Sequence, residues 1–349
     1  VSTNVEGLLE KNILLEVGRG ETHIGKKPIL LDFNKNYKYV LACDLSRNNS
    51  KIAVSNLQGE IVAEDKIVIY NNLAGRDMKE YIKNSVLGFL KENNIDKVEI
   101  SRVVIASPGI INEDSEQRLL NPQFRQLEEI NIKDIFKEIL NTKVIIKNDI
   151  NLAALGEKHF GVGKEYTNLA YISIGLGIGA GMIINGSLYE GSRKAAGEMG
   201  YVIPLIDQTV KGEYVSLENI AIIGAIENRL KQEILEHKDS LLYGLVDKKV
   251  DDITFDKFKK ATLAGDEYCS SVAIELGKQL GIAIGNLSVV LDLELIVIGG
   301  EVSRLGEVFI NPIEEIVNKI VPFSSRVEVS RLENAGILGG IKVAIEDTL

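Results

Sequence analysis

The chain has 349 residues, 45% hydrophobic and 26% charged, a globular balance sized for two domains and unlike a disordered chain. A net charge of −10 argues against a protein that coats nucleic acid along its length, and the lack of Trp disfavours base stacking on single strands. Two cysteines and three scattered histidines neither staple a secreted scaffold nor complete a zinc site, and neither an apolar span nor a basic-then-apolar leader is evident, so a soluble cytoplasmic protein without a membrane partner is expected.

Charge is uneven along the chain. Residues 1–38 carry six Lys/Arg against five Asp/Glu, whereas the remainder carries a net of −11. A near-neutral head on an acidic body suits a small DNA-touching module joined to a larger domain. Val5, Leu8 and Leu9 recur at helical spacing, and Asn12 suits the left-handed residue that closes a helix. Two apolar stretches, 13–17 and 28–33, then flank the glycine-rich, cationic segment 18–27, which predicts a β-hairpin. Helix plus hairpin has the layout of a winged helix, with Arg19, Lys26 and Lys27 as phosphate contacts. The same residues also fit a solvated surface hairpin.

Strands are expected at 39–44, 51–57 and 60–69, a helix at 75–93, and a buried strand at 103–106 ending in Ser107-Pro108-Gly109. Another strand, 143–147, closes at Asn148-Asp149, followed by a helix over 151–160. A second pass begins at Leu169 with a strand, a glycine turn, a returning strand and the hairpin signal Asn185-Gly186. Helices at 217–236 and 268–291, a strand at 295–298, and helices at 306–319 and 336–347 around a strand at 327–329 complete it. The alternation is α/β, and the repeated strand–turn–strand opening suggests a duplicated architecture of two lobes with a cleft. Gly175, Gly177, Gly179 and Gly181, and separately Gly299 and Gly300, could let backbone amides approach a phosphate. Glycine alternation alone is weak evidence for this: backbone angles are the alternative for the first set, and close helix–strand packing is at least as good an account of the second.

Here the residues resemble a family. The segment Asn148-Asp149-Ile150-Asn151-Leu152-Ala153-Ala154-Leu155-Gly156-Glu157 is similar to the Asn-Asp-Ala-Asn-x-Ala-Ala-x-Gly-Glu stretch of the ROK family of repressors, open reading frames and sugar kinases. Residues 172–191 resemble its glycine hairpin, Ala196-Gly197-Glu198-Met199-Gly200-Tyr201 its Ala-Gly-Glu-x-Gly-His motif, and residues 296–303 its late strand and loop. The likeness spans 37–349, and residues 1–36 resemble the end of the winged helix of its xylose-repressor branch, a head that the kinase branch lacks. The resemblance implies an actin-like, ribonuclease H-like two-lobe α/β fold behind a partial winged helix. It implies a head at 1–36, a smaller lobe at 37–150 completed by helix 336–349, and a larger lobe at 151–335 carrying the cleft wall and a dimer surface. It also implies sugar hydroxyls held by Asn148, Asp149, Glu198 and Glu218, with Tyr201, Asn121 and Gly109 as further candidates. Carboxylates accept strongly from hydroxyls, and in the kinases the matching aspartate is the general base. Asp149 at a helix start also reads as a cap.

Departures from the family pattern favour a receptor over an enzyme. Where the kinases read Asp-x-Gly-Gly-Thr-Lys, this chain reads Asp44-Leu45-Ser46-Arg47-Asn48-Asn49, so the amide cradle for phosphate is damaged although the aspartate remains. Asp44, Gly175, Gly177, Gly179, Gly299 and Gly300 are then remnants of a nucleotide site. The family's zinc-binding His and Cys stretch is replaced by Tyr201 and Lys211-Gly212-Glu213-Tyr214-Val215-Ser216-Leu217-Glu218, so no metal is expected and the placement of Glu218 becomes uncertain. Tyr201 either donates its hydroxyl to the sugar or fills space. The expectation is a dimeric, sugar-responsive repressor that binds a DNA operator and a monosaccharide, xylose being the first trial. Mg-ATP belongs only to the alternative of an ATP-dependent sugar kinase.

Overall fold

Helix α1 (Ser2–Glu10) ends where the sequence anticipates: Asn12 takes φ 55°, and bonds from Ile13 N to Leu8 O (2.9 Å) and Asn12 N to Leu9 O (2.9 Å) satisfy the last carbonyls. Strands β1 (Leu14–Arg19) and β2 (Ile29–Phe33) follow as an antiparallel hairpin, in register from Leu14↔Phe33 to Arg19↔Ile29 with a slip between Glu16 and Gly18. The computed structural model describes the whole chain except residues 1, 22–26, 46–49, 68–74, 112–117, 120–130, 205–208 and 211–212. By compactness the chain divides into one unit of residues 1–148 and 340–349 and another of 149–339.

In the first unit, β3 (Tyr39–Asp44), β4 (Lys51–Asn56), β5 (Ile61–Lys66), β6 (Ile100–Ser107) and β7 (Lys143–Asn148) form a sheet ordered β5-β4-β3-β6-β7. The β5-β4 and β4-β3 pairings are antiparallel; β3-β6 and β6-β7 are parallel. Helix α2 (Gly75–Glu92) buries Met78, Ile82, Val86, Phe89 and Leu90, the apolar stripe its period predicts. Helix α3 (Ile132–Leu140), which the sequence reading passes over, buries Ile132, Ile135, Phe136, Ile139 and Leu140 at the same spacing. Its ends carry ordinary signals, an Asn131 side chain accepting from Asp134 N and a left-handed Asn141.

The second unit repeats that plan. Helix α4 (Asp149–Phe160) precedes β8 (Leu169–Ile174), β9 (Ile178–Ile184) and β10 (Ser187–Tyr189), and Asn185 (φ 51°) and Gly186 (φ 76°) make the tight turn their pair signals. The helix expected over 217–236 is divided into α5 (Leu217–Ala221) and α6 (Ile223–Glu233), with a short 3-10 turn after it. Ile222 is extended (ψ 155°), and the next amide, Ile223 N, donates to Gly175 O at 2.9 Å; a tertiary bond replaces a helical one. Next come α7 (Phe255–Leu263), α8 (Glu267–Leu291), β11 (Leu295–Gly299), α9 (Glu307–Ile320), β12 (Arg326–Val329) and α10 (Ala335–Thr348), which passes into the first unit between Gly339 and Gly340. The sheet order β10-β9-β8-β11-β12 reproduces that of the first unit, with β8, β11 and β12 parallel.

Although the sequence reading finds no span, α8 is long and apolar enough to cross a membrane; half of its most apolar window is buried. It is a core helix: Gly277, Gly281 and Gly285, four residues apart, let α9 approach so closely that a Cβ on Gly281 would lie 2.8 Å from Ile316 Cβ.

Glu157, at the end of α4, is 0% exposed. It accepts from Ser330 Oγ and, at 3.2 Å, from Val162 N, and joins α4 to the loop after it and to the end of β12. Burial pushes its carboxyl above the ordinary range, against the pull of those two donors. A carboxyl raised in the folded state contributes stability that is full below its unfolded pKa of about 4.3 and lost as pH rises through the folded value. Glu157→Gln keeps an acceptor for both donors without the charge. Its thermal midpoint relative to the parent is therefore expected to rise between about pH 4 and pH 8; a pH-independent difference would contradict this.

Candidate functional site

The anticipated site residues fall into groups, one at the end of each sheet. In the first unit, Asn148 ends β7 opposite Ser107 of β6, and its Nδ2 donates to Gly109 O at 3.1 Å. Gly109 has φ 89°, a conformation that turns its carbonyl toward Asn148 without a side-chain penalty. Asp44 ends β3, half-buried between Lys51 of β4 and Ala106 of β6. Asn121 and Ser46–Asn49 lie outside the described residues.

In the second unit, Asp149 is the first residue of α4 and its Oδ1 accepts from Ile150 N at 2.9 Å, a carboxylate at the positive end of the helix. Glu198 stands just before a 3-10 turn, Met199–Tyr201. Gly197, at φ 92°, lies on β9, and its carbonyl accepts from Ala180 N and Met199 N, both at 2.7 Å. A Cβ there would collide with Ala180 O, so only glycine presents Glu198 from this position.

The glycine hairpin decides where the segments that carry Asp149 and Glu198 pack. None of Gly175, Gly177, Gly179 and Gly181 has positive φ, so backbone angles do not explain them. A Cβ on Gly179 would lie 2.5 Å from Ile150 Cδ1 and 3.7 Å from Gly197 O, and one on Gly181 would lie 2.6 Å from Ala154 Cβ and 2.6 Å from Ile150 O. Bare backbone on β9 lets the first turn of α4 and the 197–201 turn close over one strand. This brings Asp149 and Glu198 to the same part of the sheet, each next to a residue that touches Gly179. The sequence reading missed this role; glycines at alternate strand positions, on one face, were the signal.

Glu218 follows. Leu217 N donates to Val202 O (2.9 Å), Ser216 N and Oγ both donate to Asn219 Oδ1, and Leu217 and Ala221 are fully buried, so α5 is anchored by packing and caps. A Cβ on Gly200 would lie 3.1 Å from Glu218 Oε2, which puts that carboxylate against the turn that carries Glu198. Partial burial, and then the Glu218 charge, push the Glu198 pKa upward. Paired carboxylates beside a turn are a strong acceptor set for hydroxyls and a poor one for an anion. Tyr201 is 74% exposed and fills no interior space. Among the described residues, no three of His, Cys, Asp and Glu gather as a metal site requires.

The late glycines are held by packing. A Cβ on Gly299 would strike the Tyr171 ring, and Gly300, at φ 83°, lies against the Ile174 backbone. On the head, Arg19 ends β1 opposite Ile29, and Gly20 N donates to Pro28 O (2.8 Å), next to the exposed Lys27. Arg19 is exposed as well, and Lys26 lies outside the described residues. Leu15, Val17, Ile29, Leu30 and Leu31 leave the hairpin apolar on its surface.

The family model described as ROK family matches residues 40–345. A xylose repressor of Caldicellulosiruptor bescii is 31% identical over all of this chain and 88% of its own length. A glucokinase of Halalkalibacterium halodurans is 29% identical over 87% of this chain and 94% of its own. Among solved structures, a ROK family transcriptional regulator described as a homologue of the Escherichia coli MLC protein superposes with a TM-score of 0.80 at 23% identity, over all of this chain and 89% of that one.

Proposed function

The chain belongs to the ROK family, and from that membership we propose that it is a sugar-responsive transcriptional repressor. In this reading Asn148, Asp149, Glu198 and Glu218 hold a monosaccharide, with xylose the first to try, and Arg19, Lys26 and Lys27 contact operator phosphates. The observation that carries it is the Glu198–Glu218 carboxylate pair on a turn that packs at Gly179, the glycine that the first turn of Asp149's helix also covers, where hydroxyls would find acceptors. The repressor likeness along the whole chain, head included, supports a DNA-linked output. Sugar releases DNA only if it binds the DNA-free state more tightly, by a coupling of about 1–3 kcal/mol. A dimer suits a head that reads paired half-sites.

Titrating labelled operator DNA against a sugar panel tests the proposal; affinity that no monosaccharide changes would sink it. Arg19→Ala and Lys27→Ala are each expected to weaken every operator variant alike and to lower the slope of log K against log salt by about one, measured by fluorescence anisotropy.

The second reading is a sugar kinase with Asp149 as general base, favoured by the glucokinase likeness along 94% of that enzyme. ADP release in the presence of sugar, abolished by Asp149→Asn, would establish it in place of the repressor. Against it stand Ser46 and Arg47, where the phosphate-binding loop of the kinases needs glycine.

A further inference from the structure

We propose that Glu301 is a partly exposed counter-anion that keeps nucleoside triphosphate away from the glycine-lined end of the second sheet. Parallel strands β8 and β11 are neighbours, Ser173 opposite Gly299, and beyond their carboxyl ends the chain turns in opposite directions, toward β9 and toward α9. That is where open α/β sheets take ligands. The two turns touch there: a Cβ on Gly175 would lie 3.7 Å from Glu301 N. The Gly175 amide is already bonded to Gly177 O at 3.0 Å, so this turn closes on itself.

Charge completes the argument. Glu301 Oε1 is 3.6 Å from Lys259 Nζ and 3.7 Å from Arg304 Nη1. Lys259 is also held by Asp256 at 2.8 Å and stands 6.0 Å from the centre of the Phe255 ring. The two cations beside Glu301, the natural partners of a phosphate chain, therefore already have carboxylate partners, and the four side chains sum to zero charge. An incoming triphosphate would have to displace Glu301 from both cations and then remain beside its negative charge, a like-charge contact that selects strongly against it. The Gly299-Gly300 turn can thus keep its shape without keeping a nucleotide. The inference rests on the second unit alone and does not require the sugar response.

MgATP is the probe. In the full chain, Glu301→Gln is expected to raise the affinity for MgATP by about tenfold or more over the parent, read by calorimetry and by a ligand-dependent rise in melting temperature. The gain should shrink at high salt, as befits removal of a charge. Glu301→Ala serves as a second variant should the amide fold poorly. Equal MgATP binding by parent and variants, whether tight or absent in all, would overturn the assignment. Sugar-induced stabilisation in the same samples reports separately on the repressor reading, and the substitution should leave it unchanged.

Discussion

Alanine at Gly339 or at Gly156 is expected to lower the thermal midpoint of the chain by about 4–8 °C, through a loss of about 3 kcal/mol. In the second unit a Cβ on Gly156 would run into Ala335 O, and one on Gly339 into Leu152 O with Gly156 N only 3.0 Å away. Helices α4 and α10 therefore touch backbone to backbone, and no rotamer change relieves a clash with a carbonyl. Gly340 next door is the control. Its Cβ would meet side-chain atoms, Ala42 Cβ at 3.2 Å and Val104 Cγ1 at 3.5 Å, so Gly340→Ala should cost distinctly less. Calorimetry of the three variants decides it, and similar midpoints for all would mean that the two helices are free to part. Because α4 carries Asp149 at its start, a loosened crossing should weaken effector binding as well.

Asp149→Ala and Glu198→Ala are each expected to raise the effector dissociation constant by about 30-fold to more than 1,000-fold, the range that follows when a charge-assisted bond loses one partner. Folding should be intact, since neither side chain is part of the buried core. The pH dependence carries a further sign. Glu198 titrates above the ordinary carboxylate range, because of burial first and Glu218 second. Its ionised fraction, and with it acceptor strength, therefore increases as pH rises through that raised value, so the effector should bind more tightly above it than below it. Glu218→Gln removes the neighbouring charge and should move that profile to lower pH, while also weakening binding by the lost contact. A profile that stays in place would separate the two carboxylates.

These expectations draw on local and distant information in different measure. The head hairpin, the left-handed Asn12, the Asn185-Gly186 turn and the inner stripe of α2 are set by neighbours in sequence, through period and turn chemistry, and the structure reproduces each. The family motifs at 148–157 and 196–201 were legible in the same way, as short runs similar to the ROK pattern, and the ROK family model spans both. Helix α3 was equally legible, in its stripe Ile132, Ile135, Phe136, Ile139, and was overlooked rather than hidden.

Other features depend on what approaches from far along the chain. Ile222 leaves its helix because Gly175 offers a carbonyl; Gly179 and Gly181 are bare because α4 presses on them; Glu301 matters because Lys259 and Arg304 reach it. Periodicity reports which face of an element is buried, but not how closely a partner comes or which charges meet there. The sequence alone determined the duplicated α/β plan and the family motifs on which Asp149 and Glu198 stand. Tertiary structure decided which glycines serve packing and how Glu198 is brought beside Glu218, since distances between remote segments exist only in the folded chain.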